Sequence, residues 1–465
     1  MASINWKSQD LKNVISTSSK IHSSINNISI NSKLVKKGDL FIPIKGNRYD
    51  GHQFIKDAFK RGAALSIANI NGYKKFKLNK FKTKIILVEN IQNTLNNLAE
   101  FSRKRIKGKI LAITGSVGKT SVKEAISLIL KKKMKIQSND GNFNNLIGMP
   151  LSLARFKKNI ELGILELGMN KKGEIKKLSN ICKPDIALIT RIANSHIGNF
   201  NSLKDIALAK SEIFSGMNES GTVILNSNDP YSSILQEQAE SLGLKKFIFF
   251  GKSKKSDVSL LKVEHKKNNQ YIVYVDAMGK KINFLLNSLA SHWIENSLGI
   301  IALLILIKQD PEIFSKEIKN FEAIKGRGKI LKINLKNKKF EIIDDSYNAS
   351  PDSIRSSLFF LNQYAKEKRK ICVLGDMYEL GKFSKKFHLS LKKTITDNKI
   401  FKVYTIGKEM KNLHSSLPKL IKGKHAKNLE ELHLNLEELI ETNDVILFKG
   451  SRAMNLDKVI DKFNK

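Results

Sequence analysis

Ala112-Ile-Thr-Gly-Ser-Val-Gly-Lys-Thr-Ser121 is the stretch that sets the fold class. Ahead of it, Lys109-Ile-Leu-Ala-Ile113 has the length and apolar character of a buried strand. Behind it, the apolar spacing from Lys119 to about Lys132 predicts a helix. A glycine-rich turn that leaves a strand and opens a helix is a phosphate loop. Gly115 and Gly118 let backbone N–H groups approach phosphate oxygens, and the helix start adds the positive end of its dipole. Thr114, Gly115, Ser116, Val117, Gly118, Lys119, Thr120 and Ser121 are therefore candidate nucleotide contacts. Lys119 is placed to bridge the β- and γ-phosphates of ATP, and Thr120 to hold Mg²⁺. The longer form of this loop carries a glycine where Ile113 stands, so the form here is the shorter Thr-Gly-x-x-Gly-Lys-Thr.

Outward from the loop, strands and helices alternate. Glu161–Leu167, Asp185–Thr190 and Gly221–Asn226 read as apolar strands, and Asn296–Ile307 as a buried helix. Such alternation predicts a parallel sheet covered by helices on both faces. Toward the N-terminus, Gly38-Asp39 marks a turn before a short strand. His52–Gly62 has helical spacing, and Gly62–Ala68 reads as a strand. Beyond about residue 318 the pattern restarts, with strands expected at Phe340–Asp344, Lys370–Leu374, Lys402–Ile406 and Asp444–Phe448. The expectation is α/β in three domains. Residues 1–107 form a small N-terminal α/β domain, 108–318 a central parallel-sheet P-loop ATPase domain, and 319–465 a C-terminal Rossmann-like domain.

The 82 basic and 43 acidic residues give a net charge of +39, which raises the question of a nucleic-acid or membrane-surface partner. The lysines run along the whole chain with no basic tail and no aromatic-studded basic stretch, so no nucleic-acid partner is expected. Cys182 and Cys372 lie far apart and form neither a disulfide framework nor a zinc pattern. Met1–Asp10 has no apolar leader core, and the longest apolar run, Leu298–Ile307, is about half of what a membrane span needs. A reduced, cytoplasmic protein with no integral membrane segment is expected.

Glu166 closes the strand Glu161–Leu167, and His196 follows the strand Asp185–Thr190 by a short loop. In an open parallel sheet ligands bind beyond the carboxyl ends of the strands, the edge the phosphate loop also occupies. A carboxylate and an imidazole beside Thr120 make a Mg²⁺ site at the triphosphate, although histidine is an unusual ligand for so hard a cation. Alone, His196 would read as a structural histidine, and Lys210 as one lysine among many.

Together these segments resemble the Mur ligase family. The resemblance rests on Asp39-Leu-Phe-Ile-Pro-Ile with Asp50-Gly-His52, Thr114–Ser121, Gly141–Pro150, Glu166-Leu-Gly-Met-Asn170, Pro184–His196 and Ala209-Lys-Ser-Glu212. It continues through Gly326-Arg-Gly328, Asp344–Asp352, Gly375–Gly381 and Lys449-Gly-Ser-Arg452. It implies ATP-dependent amide-bond formation through an acyl phosphate. The Asn-Asn-x-Ile-Gly and Asp-Asp-Ser-Tyr-Asn-Ala segments resemble the branch that adds D-Ala-D-Ala to UDP-N-acetylmuramoyl-tripeptide. Whether that tripeptide ends in diaminopimelate or lysine stays open.

By the same resemblance, Lys119, Lys210 and Arg327 are catalytic, and Thr120, Glu166, His196 and Lys210 hold two Mg²⁺ ions. Lys210 does so as a CO₂-derived carbamate. Burial favours the neutral amine that takes up CO₂. Asn296 is implied to contact adenine, Arg327 the phosphates and Asp345 the ribose, with Asn348 beside it. Ser32, Lys45, Asp50, Gly51 and His52 are substrate candidates by position. Asn144 and Asn145 either face the peptide or shape their own loop. A monomer is expected. The alternatives are a Mur-type ligase that adds a different amino acid and a nucleic-acid-dependent ATPase supported by charge alone.

Overall fold

The computed structural model describes residues 6–15, 21, 23–46, 48–266, 270–286 and 291–464, with backbone only at 291–292. Of the stretch read for a leader, residues 1–5 lie outside the described residues. The chain forms two compact units: Met1–Ile113 with Lys131–Ala187 and Glu212–Gly221, and Thr114–Leu130 with Leu188–Ser211 and Thr222–Lys465.

In the first unit, Ile28–Ser29, Leu40–Phe41, Leu65–Ala68 and Ile85–Leu87 pair in that order as a parallel sheet. The helix Ile91–Arg105 follows, its start capped by the Asn90 side chain, which accepts from Asn93 N. Ile91, Leu95, Leu98 and Ala99 recur at helical spacing and are buried, and this helix packs on the helix Gly148–Arg155. Trp6 locks the chain start to the same layer. Its Nε1 donates to Ala154 O at 3.1 Å, and the Arg105 guanidinium lies 4.2 Å from its ring.

The phosphate loop follows the strand Lys109–Thr114, which pairs parallel with Leu162–Glu166, itself paired with Ile136–Ser138. In the second unit, Lys280–Leu286, Tyr271–Ala277, Val258–His265, Lys246–Gly251 and Thr222–Asn226 pair in that order as a sheet. Lys109–Thr114 is buried from Ile110 on, as expected of an interior parallel strand. The sequence reading is corrected at one end, because the sheet is not parallel throughout. Tyr271–Ala277 pairs antiparallel with both Val258–His265 and Lys280–Leu286. Alternate residues Tyr271, Val273, Val275 and Ala277 are buried there, and Met278 and Gly279, both at positive φ, make the two-residue turn. The long apolar helix runs Ser291–Leu306, so it starts earlier than the expected Asn296.

The second unit also holds a six-stranded sheet ordered Lys329–Leu335, Lys338–Asp344, Val445–Lys449, Lys370–Gly375, Lys402–Ile406 and Lys422–Ala426. Four of the six were expected. The first is an antiparallel edge strand and the last is half-exposed, so neither has the apolar run of an interior strand. Cys182 and Cys372 are buried and unbridged, and burial pushes the Cys182 thiol up to about 12. Among the described residues no helix is long and apolar enough to cross a membrane.

Candidate active site

The phosphate loop is braced by the segment that follows the strand Ile186–Ile189. Thr190 Oγ1 donates to Val117 O at 2.6 Å, and Ser116 N donates to Arg191 O at 2.7 Å. Ser116 Oγ donates to Ala193 O and accepts from Ala193 N, both at 2.9 Å. Gly115 (φ 145°) lies so close to Thr190 that a β-carbon would run into its hydroxyl. Gly118 (φ 93°) leaves room for the Asn296 amide, which a β-carbon would meet at 2.8 Å. Lys119 Nζ donates to Gly115 O at 2.8 Å. Asn296 is buried, and among the described residues its Nδ2 has no hydrogen-bond partner. A buried, unsatisfied amide beside a phosphate loop fits a nucleotide that would complete it.

Asp229 carries the bracing segment. It accepts from Ile192 N at 2.7 Å and Tyr231 N at 2.9 Å, and burial raises its carboxyl above the ordinary carboxylate range. Sequence reasoning passed over Thr190, Ser116 as a brace, and Asp229. The one sequence signal for Asp229 is the turn-forming run Asn228-Asp-Pro230.

The second unit places the other ATP-side candidates as follows. Thr120 lies in the first turn of the helix Lys119–Leu130 and is buried. Lys210 lies in the last turn of the helix Leu203–Ser211 and is 2% exposed. His196 sits in the left-handed backbone region (φ 60°), with its Nδ1 2.5 Å from Glu379 Oε2. That contact with His196 holds the Glu379 carboxyl below the usual range. Among the described residues no three His, Cys, Asp or Glu side chains gather at one point, which fits a Mg²⁺ that takes most of its ligands from water and nucleotide phosphates.

Arg327, between Gly326 and Gly328 at φ 81° and 88°, lies 4.1 Å from the Tyr347 ring. Asp345 accepts from Lys449 Nζ and Ser357 Oγ, both at 2.6 Å, and Asn348 gives its carbonyl to the same lysine at 3.2 Å. Lys449 belongs to the strand Val445–Lys449 and was quoted in the sequence without a role. Arg327 and Asp345 line one cavity of about 430 Å³ with Trp293, Phe321, Gly328 and Phe360. Its aromatic wall and its two carboxylates, Glu322 and Asp345, suit a flat base with an attached sugar.

In the first unit, Glu166 ends its strand paired with Ile113, the residue before Thr114. Its Oε1 accepts from Asn144 Nδ2 at 2.8 Å. Asn145 Oδ1 accepts from Ile147 N and Gly148 N at 3.1 and 2.8 Å, shaping the entry to the helix Gly148–Arg155. Both asparagines thus have loop-forming partners. Asp50 accepts from His52 N at 3.1 Å and lies 2.6 Å from His52 Nδ1. Burial works against the Asp50 anion, but the hydrogen bonds from His52 outweigh it and hold the carboxyl below its ordinary value. His52 is buried, and its Nε2 accepts from Asn69 N at 3.3 Å, so it ties loops together. A β-carbon at Gly51 would meet Ile44 O at 2.6 Å, Lys45 bridges to Asp50, and Ser32 is buried at the start of a short 3₁₀ turn.

Three family profiles match the chain. They are "Mur ligase family, catalytic domain" over residues 24–105, "Mur ligase middle domain" over 113–304 and "Mur ligase, glutamate ligase domain" over 326–452. The chain is 38% identical to the UDP-N-acetylmuramoyl-tripeptide–D-alanyl-D-alanine ligase of Rickettsia prowazekii, covering 98% of this chain and 99% of that one. It is 30% identical to the ligase of the same name from Bacillus subtilis, covering 94% and 92%. A crystal structure of MurF from Acinetobacter baumannii superposes with a TM-score of 0.86 at 25% identity, covering 98% of both chains. MurF from Thermotoga maritima in complex with ADP gives 0.77 at 28%, covering 94% and 96%. The chain belongs to the Mur ligase family of ATP-dependent, amide-bond-forming ligases.

Proposed function

We infer that this chain joins D-Ala-D-Ala to UDP-N-acetylmuramoyl-tripeptide, with ATP cleaved to ADP and phosphate, and so makes the pentapeptide precursor of peptidoglycan. The observation that carries the reading is the end-to-end likeness to ligases of that name. The braced phosphate loop facing the unsatisfied Asn296 amide supports it. Residues 1–107 hold the uridine nucleotide, 108–318 hold ATP, and 319–465 bring Arg327 to the phosphates. The protein works as a cytoplasmic monomer on small molecules, without nucleic acid.

A carboxylate is a poor electrophile, so it is activated first. Its oxygen attacks the γ-phosphorus in line, the bond to the β-phosphate oxygen breaks, and ADP leaves. The dipeptide amine then attacks the acyl carbon. The C–N bond forms, the amine loses a proton, and phosphate departs. Loop N–H groups, Lys119 and Arg327 offset the charge on the phosphoryl oxygens. Positioning and exclusion of water do the rest, since water would hydrolyse the acyl phosphate. Thr120, Glu166, His196 and Lys210 would hold Mg²⁺ in two sites, and the metal would supply charge neutralisation at the phosphates. Lys210, buried, would act as the carbamate formed when its neutral amine bonds to CO₂ and releases a proton.

Phosphate release from ATP and Mg²⁺ tests this. Release should require both UDP-N-acetylmuramoyl-tripeptide and D-Ala-D-Ala, yield a pentapeptide by mass, and rise with added bicarbonate in wild type but not in Lys210→Ala. Release indifferent to both substrates would refute the substrate assignment, and single amino acids replacing the dipeptide would make it a sister ligase. Indifference to bicarbonate would refute the carbamate alone.

A further inference from the structure

The loop that carries His196 is gripped by the C-terminal part of its own unit. Asn194 N and Nδ2 both donate to Asp352 Oδ2 at 3.1 Å. Two residues beyond His196, Gly198 N donates to Glu379 O at 2.8 Å. Gly198 and Gly381 meet backbone to backbone, and a β-carbon on Gly381 would lie 2.9 Å from Gly198 Cα. His196 and Glu379 both take left-handed backbone, at φ 60° and 63°, which costs each about 1 kcal/mol and persists only where the surroundings impose it.

Glu379 itself stands on a stiff support. Tyr378 N donates to Ser451 Oγ at 2.8 Å, and Met377 N donates to His388 Nε2 at 3.0 Å. His388 is fully buried, and its Nδ1 is 2.8 Å from Ser384 O. The carboxylate therefore reaches His196 from a fixed base, and its Oε2 lies 2.5 Å from Nδ1, within ion-pair reach but off the line of a hydrogen bond. A carboxylate on one ring nitrogen keeps the proton there. Its charge beside Nδ1 leaves the other nitrogen as the lone-pair donor.

We propose that Glu379 is a positioning residue for His196, orienting its Nε2 toward the cation at the nucleotide phosphates. Seating of the Tyr378–Gly381 loop thus becomes a condition for tight metal binding. This rests on His196 being a metal ligand, as read above. Glu379 contacts no substrate in this scheme and acts only through the imidazole.

Mn²⁺ binding to the full-length protein with ADP, followed by electron paramagnetic resonance, reads this directly. Glu379→Ala should weaken Mn²⁺ about 10- to 100-fold, the range lost with such outer partners. Glu379→Gln, which keeps an acceptor and the shape, should recover much of that loss. ADP affinity measured without metal should stay put in both variants, which separates positioning from misfolding. His196→Ala should weaken Mn²⁺ at least as far, and adding Glu379→Ala to it should cost nothing more. Unchanged Mn²⁺ affinity in Glu379→Ala and Glu379→Gln, with His196→Ala weakened, overturns the positioning role alone. Unchanged affinity in His196→Ala overturns the ligand reading and this inference together.

Discussion

Single residues in this chain do local work that their neighbours in sequence make possible. Asp50 heads a short 3₁₀ turn and accepts from His52 twice, through the backbone and through the ring. Losing such a cap costs about 1 kcal/mol. The His52 contacts hold the Asp50 carboxyl below its ordinary value, so its charged form favours the folded state. That stability is present above the unfolded pKa and is lost as pH falls through the folded one. Asp50→Ala should therefore be less stable than wild type by about 1 kcal/mol near neutral pH, with the gap narrowing toward about pH 3. Urea unfolding at the two pH values measures it. A gap that holds or widens in acid would mean that the charge of Asp50 plays no part.

At the scale of elements, the helix Pro351–Ala365 shows how a start signal serves the site. Ser350 accepts from Ser353 N at 3.4 Å, Ser353 Oγ accepts from Ser350 N at 2.8 Å, and Pro351 occupies the first turn. That cap fixes where Asp352 emerges, and Asp352 holds Asn194, two residues from His196. Ser350→Ala should cost about 1 kcal/mol in unfolding free energy. It should also speed amide hydrogen exchange at Asn194, whose N–H is bonded to Asp352. An unchanged rate there would uncouple the cap from the His196 loop. The antiparallel strands 258–286 were legible in principle, from alternating apolar residues and Met278-Gly279. Reading them only as part of an α/β alternation hid the change of period from 3.6 to 2.

For the whole molecule, a net charge of +39 spread along the chain is a field rather than a patch. Anionic nucleotides approaching such a field gain in encounter rate, and salt removes the gain. kcat/KM for the nucleotide-linked tripeptide should fall by about tenfold from low to high ionic strength while kcat holds. A flat profile in stopped assays would assign the lysines to composition alone. The sequence by itself determined the strand–loop–helix at Lys109–Leu130, the run of α/β elements and the family. Each of these follows from local backbone preference and from the period of apolar residues. Only the tertiary structure decided which partners meet: Thr190 on Val117, Lys449 on Asp345, Asn144 on Glu166 and Glu379 on His196. Those pairs come from segments distant in the chain. Their meeting depends on how sheets and loops pack, and no local spacing records that.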